Sequence, residues 1–239
     1  MQDRSLTLIE HLNELRKRIL ISLAALVIAT LSSLPFASAV LKVLKIPAGG
    51  VIDRLVFFSP QDAFLIYMRI AFLCGFTISL PVILYQLWVF ISPALEERFK
   101  KGAGRFVFIC FVAFILGCCF AYFVLLPPAL RFLLSFAKEE LVPVISANNY
   151  ISFITGLILS CGLIFQMPVL SFILSKIGVV QAHFLRKQYR YAIVVILILA
   201  ALITPTSDIF NMLMLAFPML LLYEVSIWIV SMNERKAHA

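Results

Sequence analysis

Six long apolar runs, separated by short charged stretches, limit what this chain can fold into more than any other feature. They cover residues 19–41, 63–91, 106–136, 150–177, 191–203 and 209–232. A helix needs about 20 residues to cross about 30 Å of hydrocarbon. Five runs meet that length. The fifth run spans only 191–203, or about 20 Å of helix at about 1.5 Å per residue, so it calls for thinned bilayer or flanking protein. Of 239 residues, 63% are hydrophobic and 13% charged, too few charges for a soluble domain. The expected fold is all-α: one integral membrane domain over residues 1–239, with six transmembrane helices. The net charge of +8 falls beside the apolar runs, so it suits a lipid surface and not nucleic acid.

Loop charge sets an expected orientation. Basic residues crowd the segment before run one (Arg4, Arg16, Lys17, Arg18) and the loop after run two (Arg98, Lys100, Lys101, Arg105). They recur after run four (Lys176, Arg186, Lys187, Arg190) and in the tail (Arg235, Lys236). The opposite side holds only Lys42, Lys45, Arg54, Arg131 and Lys138. The positive-inside rule therefore places both termini in the cytoplasm. Arg69 lies within run two near its outer end, where it can snorkel.

Several chemistries are absent from the sequence. His11, His183 and His238 lie outside the runs and far apart, and no zinc signature or HExxH occurs. No nucleophile elbow or glycine-rich phosphate loop is found. The five cysteines all fall in apolar runs without a CxxC pair and read as small buried hydrophobes. Ala37-Ser38-Ala39 resembles a cleavage site, but the run before it exceeds the ~7–15 residues of a signal-peptide core. No cleavage is expected. Pro81, Pro127, Pro128, Pro168 and Pro218 lie inside runs, each removing a helix hydrogen bond and favouring a kink. Six bent helices predict a curved, cup-like wall and not a straight bundle. "TPTSD" (204–208) predicts a tight hairpin, with Pro205 stopping run five and Ser207 or Asp208 capping run six.

The stretch "EHLNELRKRI" (10–19) raises a sharper question. Leu8, Leu12, Leu15 and Ile19 share one helical face, while Glu10, Glu14 and Arg18 repeat at i, i+4, i+8 on another. A Glu14–Arg18 pair within the helix contributes only about 0.2–0.5 kcal/mol, and Glu10 beside Glu14 costs about as much. Local helix support does not account for both acids, which leaves a binding role open beside it.

That stretch resembles the HLxELRxR signature of the TatC family, the large subunit of the twin-arginine protein translocase. Further segments are similar in the same order: "FFSPQDAF" (57–64), "PVILYQLWVFISPAL" (81–95), "FAYFVLLPPALRFLL" (120–134), "FQMPV" (165–169) and "TPTSDIFNMLMLAFPMLLLYE" (204–224). The resemblance implies a receptor subunit that recognises signal peptides with consecutive arginines. It implies passage of folded proteins across the membrane, driven by the proton gradient without a cofactor. It also implies TatA-like and TatB-like single-span partners, homo-oligomers within the complex, and a bacterial cytoplasmic membrane.

Site residues follow residue by residue. Glu14 matches the family's first arginine-binding acid, with His11 and Arg16 in the same motif. The second acid of the family falls on Phe99 here. Glu97, then Glu96, is expected to take its place, with Lys101 nearby. Gln166 occupies a position where the family often has Glu. Either it bonds a carbonyl freed by the Pro168 kink, or it serves as a polar patch for transport. Glu224 is the other intramembrane polar residue, expected to snorkel and not to pair with Arg69, which lies toward the opposite surface. Thr204 matches the polar cluster where a partner helix docks, with Asp208 beside it and Asn211 next to the family's Gln position. The competing classes are a small-solute secondary transporter and an intramembrane protease. Nine glycines, few midplane charges and no histidine within a run speak against them.

Overall fold

The computed structural model describes residues 8–48, 55–94, 102–135, 145–204 and 208–238. Helix α1 (Leu8–Ser33) begins well before the first apolar run. A 3-10 turn at Leu34–Phe36 joins it to α2 (Ala37–Lys45). Helix α3 (Pro60–Ile91) is the second span. The third span is α4 (Ala103–Phe120), a π turn (Ala121–Leu125) and α5 (Leu126–Ser135). The fourth is α6 (Ala147–Ile164) and α7 (Met167–Lys176). A short helix, α8 (Ala182–Lys187), precedes α9 (Tyr189–Ile203) and α10 (Ile209–His238). Five spans are long and apolar enough to cross a membrane; α9 is the shorter sixth. At 15 residues it is about 22 Å long. Tyr189 and Arg190 extend it beyond the thirteen apolar residues.

The prolines leave different marks on the helical ladder. Pro81 and Pro218 sit inside unbroken helices. Pro127 and Pro128 remove donors that would serve the carbonyls of Phe123 and Val124, and the chain widens there into the π turn. At Pro168 the span breaks outright, and the proline sits in the first turn of α7, where a missing N–H costs nothing. Pro35 also ends α1 and opens the 3-10 turn.

The helices pack as an open row. Helix α1 lies along α3, which packs on α4 and α6; α7 packs on α10, and α10 carries α8 and α9. Span one is peripheral: only 6% of its apolar window is buried, against 33–44% in the other long spans. Lipid tails are as apolar as leucine, so hydrophobic burial does not pull these helices together; close packing does. Glycine makes the approach possible at two crossings. A Cβ on Gly117 would stand 2.6 Å from the Cys161 carbonyl oxygen and 2.9 Å from the Gly162 Cα. One on Gly75 would strike Thr30. The core between these contacts holds Ile70, Leu126, Ile151, Leu215 and Met219. A second cluster, toward the basic end, centres on Leu84, Trp88, Phe106 and Phe114.

The loop ends opposite the basic side are tied together. Leu55 and Val56 pair in parallel with Ile145 and Ser146. Asp62 accepts from the backbone N–H of Phe58 and Ser59 at 3.1 Å, capping α3. Its other oxygen accepts from Asn148 Nδ2 at 3.1 Å, and Asn148 Oδ1 accepts from Arg69 at 2.8 Å. Tyr122 and Tyr150 donate to the carbonyls of Val43 and Leu44 at the end of α2.

Gly117 and Gly156 give a matched test of the packing. Gly117→Ala forces α4 from α6, at about 1–3 kcal/mol, and should lower the melting temperature in detergent by about 5 °C. Gly156→Ala, whose Cβ meets nothing within 4 Å, should leave it unchanged or raise it.

Candidate binding faces

The basic end of the row brings the start of α1 against the end of α3. Both are regular helix there, so side chains one or two turns from the helix ends face each other at fixed register. Glu14 Oε1 and Arg18 Nη2 lie 3.2 Å apart, each side chain about a quarter exposed at 24%. Arg18 Nη1 also donates to Gln86 Oε1 of α3 at 3.1 Å. Gln86 is buried. One turn before Glu14, His11 stacks on Phe90 with ring centroids 4.5 Å apart. Arg16 is exposed on the neighbouring face. Glu96, Glu97, Phe99 and Lys101 lie outside the described residues, as does the side chain of Glu10. The structure therefore brings Glu14, His11 and Arg18 to one end of α3 and says nothing of the expected second acid.

Gln166 lies where span four breaks. Its backbone N–H turns to the Leu163 carbonyl, so the Gly162 carbonyl loses its usual helical donor. The Gln166 side-chain amide covers that gap at 3.5 Å and bonds the Cys110 carbonyl of α4 more closely, at 3.0 Å. The residue is buried. It repairs a break and joins two spans at once.

Thr204 and Asn211 are also buried. Thr204 donates back to the Ala200 carbonyl at 2.8 Å. Asp208 accepts from the Asn211 backbone N–H at 2.7 Å and side-chain amide at 2.9 Å, capping α10. Thr204 and Asn211 line a cavity of about 10 Å³ with Leu125, Phe153 and Leu157, so they face spans three and four. The exposed surface around them is apolar, with Leu202, Ile209 and Leu213 outward.

Glu224 is exposed on α10. Its neighbour Tyr223 donates to the Leu185 carbonyl of α8 at 2.8 Å, which sets it at the level of the basic loops. Arg69 is bonded to Asn148 at the other end. Further along α10, Glu234 accepts from the Ala182 N–H at 2.9 Å and Asn233 bonds Ser175 at 3.2 Å, fixing the loop between spans four and five.

Gln86, Asn148 and Glu234 escaped sequence reading. Ser59-x-x-Asp62 carries a capping-box pattern that announces Asp62. Nothing local announces the others, whose partners lie 52 to 86 residues away. Among the described residues no group of three or more histidines, cysteines or carboxylates is placed to hold a metal ion.

An open row of membrane-length helices, tied at one end and bearing an acid–guanidinium pair at the basic end, defines a polytopic helical membrane protein. The family model for the Sec-independent protein translocase protein (TatC) matches residues 10–218. The chain belongs to the TatC family and is a component of that protein translocase. It is 37% identical over 236 residues to TatC of Carboxydothermus hydrogenoformans, covering 99% of this chain and 97% of that protein. It is 38% identical over 233 residues to TatC of Aquifex aeolicus, covering 96% of each. A crystal structure of the twin-arginine translocase receptor TatC superposes with a TM-score of 0.85 at 37% identity, over 93% of this chain and 99% of that one.

Gln166→Leu removes both side-chain bonds of the break. It should lower stability by about 1–2 kcal/mol, read as a lower melting temperature in detergent. A variant as stable as the parent would contradict the structural role.

Proposed function

We propose that the basic end is the receptor for twin-arginine signal peptides and that Glu14 holds one of the two arginines. The observation that carries this is the Glu14 carboxylate itself. It is held near the start of α1, a quarter exposed, and already engaged with a guanidinium. Carboxylates suit arginine over lysine because planar N–H donors meet two oxygens in one plane. Glu97, with Glu96 next to it, takes the second arginine from the loop after span two. His11, Arg16 and Lys101 border the site. TatA-like and TatB-like helices dock on the apolar outer surface of the α9–α10 hairpin. Thr204, Asp208 and Asn211 form the polar backing of that surface, and the short α9 thins the bilayer beside it. The protein works without cofactor or catalytic residue, drawing on the proton gradient, as a single domain in homo-oligomers of the complex. It lies in a bacterial cytoplasmic membrane with both termini inside.

Binding is the first test. Glu14→Ala and Glu97→Ala should each weaken an Arg-Arg peptide by about ten-fold, discounting a buried pair for exposure. A Lys-Lys peptide should lose far less. An Arg-Arg preference that survives both substitutions would refute the assignment.

Orientation is the second. In a cysteine-free background, Asn149→Cys and Lys187→Cys should label with an impermeant thiol reagent from opposite sides of the membrane, Lys187→Cys from the cytoplasm. Labelling of both from one side would end the six-span topology.

A further inference from the structure

We infer that Arg18 is an internal stand-in for the incoming arginine: it occupies Glu14 within the chain and sets the threshold a signal peptide must exceed. The inference rests on the receptor reading of Glu14. Three features of the geometry carry it. The Glu14–Arg18 contact uses one carboxylate oxygen and one terminal nitrogen, at 3.2 Å. It is a single-point pair and not the two-bond fork a guanidinium can make. Arg18 is held from a second helix by buried Gln86, at 3.1 Å through its other terminal nitrogen. The guanidinium therefore has a fixed place to rest when Glu14 is taken from it. Finally, Arg18 Nε is buried with no hydrogen-bond partner among the described residues. The internal pair is thus an incomplete arrangement that a better-placed donor can displace.

The charged groups around this pair favour such an exchange. Arg16 and Lys17 are exposed on the same helix. They raise the positive field around Glu14 and disfavour loosely held cations. A peptide arginine overcomes this by meeting the carboxylate with two N–H bonds in one plane. A lysine offers a compact, strongly hydrated point charge and lacks that advantage. Arg18 therefore converts a simple anionic spot into one that selects guanidinium over ammonium. In this reading it is a specificity-determining residue acting through Glu14.

The test measures binding of Arg-Arg and Lys-Lys signal peptides to the full-length protein in nanodiscs. Arg18→Gln should strengthen both, the Lys-Lys peptide more, so that the Arg-Arg to Lys-Lys affinity ratio falls about two- to five-fold, the range for a part-exposed ion pair. In a Glu14→Gln background the same substitution should change nothing. Arg18→Lys keeps the charge and much of the packing but cannot bridge Glu14 and Gln86 together. It should lower the ratio in the same direction by less, and it serves where Arg18→Gln does not fold. An unchanged or increased ratio in a folded Arg18 variant overturns the inference. If Glu14→Gln alone leaves Arg-Arg binding intact, the receptor reading fails. If Glu14→Gln weakens binding while Arg18 variants leave the ratio unchanged, only the stand-in role fails.

Discussion

In hydrocarbon, no water is available to satisfy a backbone N–H or C=O, and each unsatisfied group costs several kcal/mol. The structure depends on meeting this demand wherever proline or a helix end breaks the ladder. Gln166 covers the Gly162 carbonyl at the break in span four. The Thr204 hydroxyl is satisfied at the end of α9 by the Ala200 carbonyl, which also accepts the Thr204 backbone N–H. Asp208 caps α10 on the far side of that turn. Tyr122 and Tyr150 take the last carbonyls of α2. Gln166, Tyr122 and Tyr150 in doing so also join neighbouring elements, while Thr204 and Asp208 act within their own helix ends. The polar residues that look costly in a hydrophobic sequence are therefore the ones that set the shape.

The two ends of the row are built differently. Opposite the basic side, Asp62, Asn148 and Arg69 form one bonded chain between spans two and four, beside a strand pair that joins their leading loops. At the basic end, span one meets the rest chiefly through α3, and its polar contact there is the Glu14–Arg18–Gln86 relay. Energetically, the first end has several neutral and charge-assisted bonds sharing donors. The second has a part-exposed ion pair of the kind worth little in stability. An interaction that contributes little to the fold can be exchanged for a ligand at little cost to it.

Much of the architecture was legible in the sequence. The spans were readable because apolar runs of 20 or more residues have few alternatives, and the α9–α10 hairpin because proline and an N-cap residue flank its turn. Which prolines interrupt the helical ladder was less readable. Pro81 and Pro218 lie within continuous helices, whereas Pro168 and Pro35 stand at breaks in spans four and one. Glu14 was legible through its spacing with Arg18, but its meaning was not. The helical repeat predicts the pair, while Gln86, 68 residues beyond Arg18, decides that Arg18 is anchored from a second helix. Thr204 and Asn211 were found as a polar cluster, yet only packing shows that they face inward to spans three and four.

That inward placement bears on how a partner helix is met. A polar group turned fully toward lipid is expensive, and one sealed in the core is silent. Thr204 and Asn211 occupy an intermediate position: buried, one layer behind an apolar surface of Leu202, Ile209 and Leu213, beside a cavity with room for about one water. The shortness of α9 adds to this. A 15-residue helix, about 22 Å long, beside spans of 26 to 35 residues calls for the bilayer to thin or a protein to cover the gap. Mismatch alone would recruit any apolar helix of suitable length. In the docking proposed above, polar groups one layer deep would add selectivity for a helix with a complementary polar residue wherever its approach brought them into contact. On the docking proposed above, the short span and the buried amide form one device, the first drawing a helix to the hairpin and the second discriminating among those that arrive.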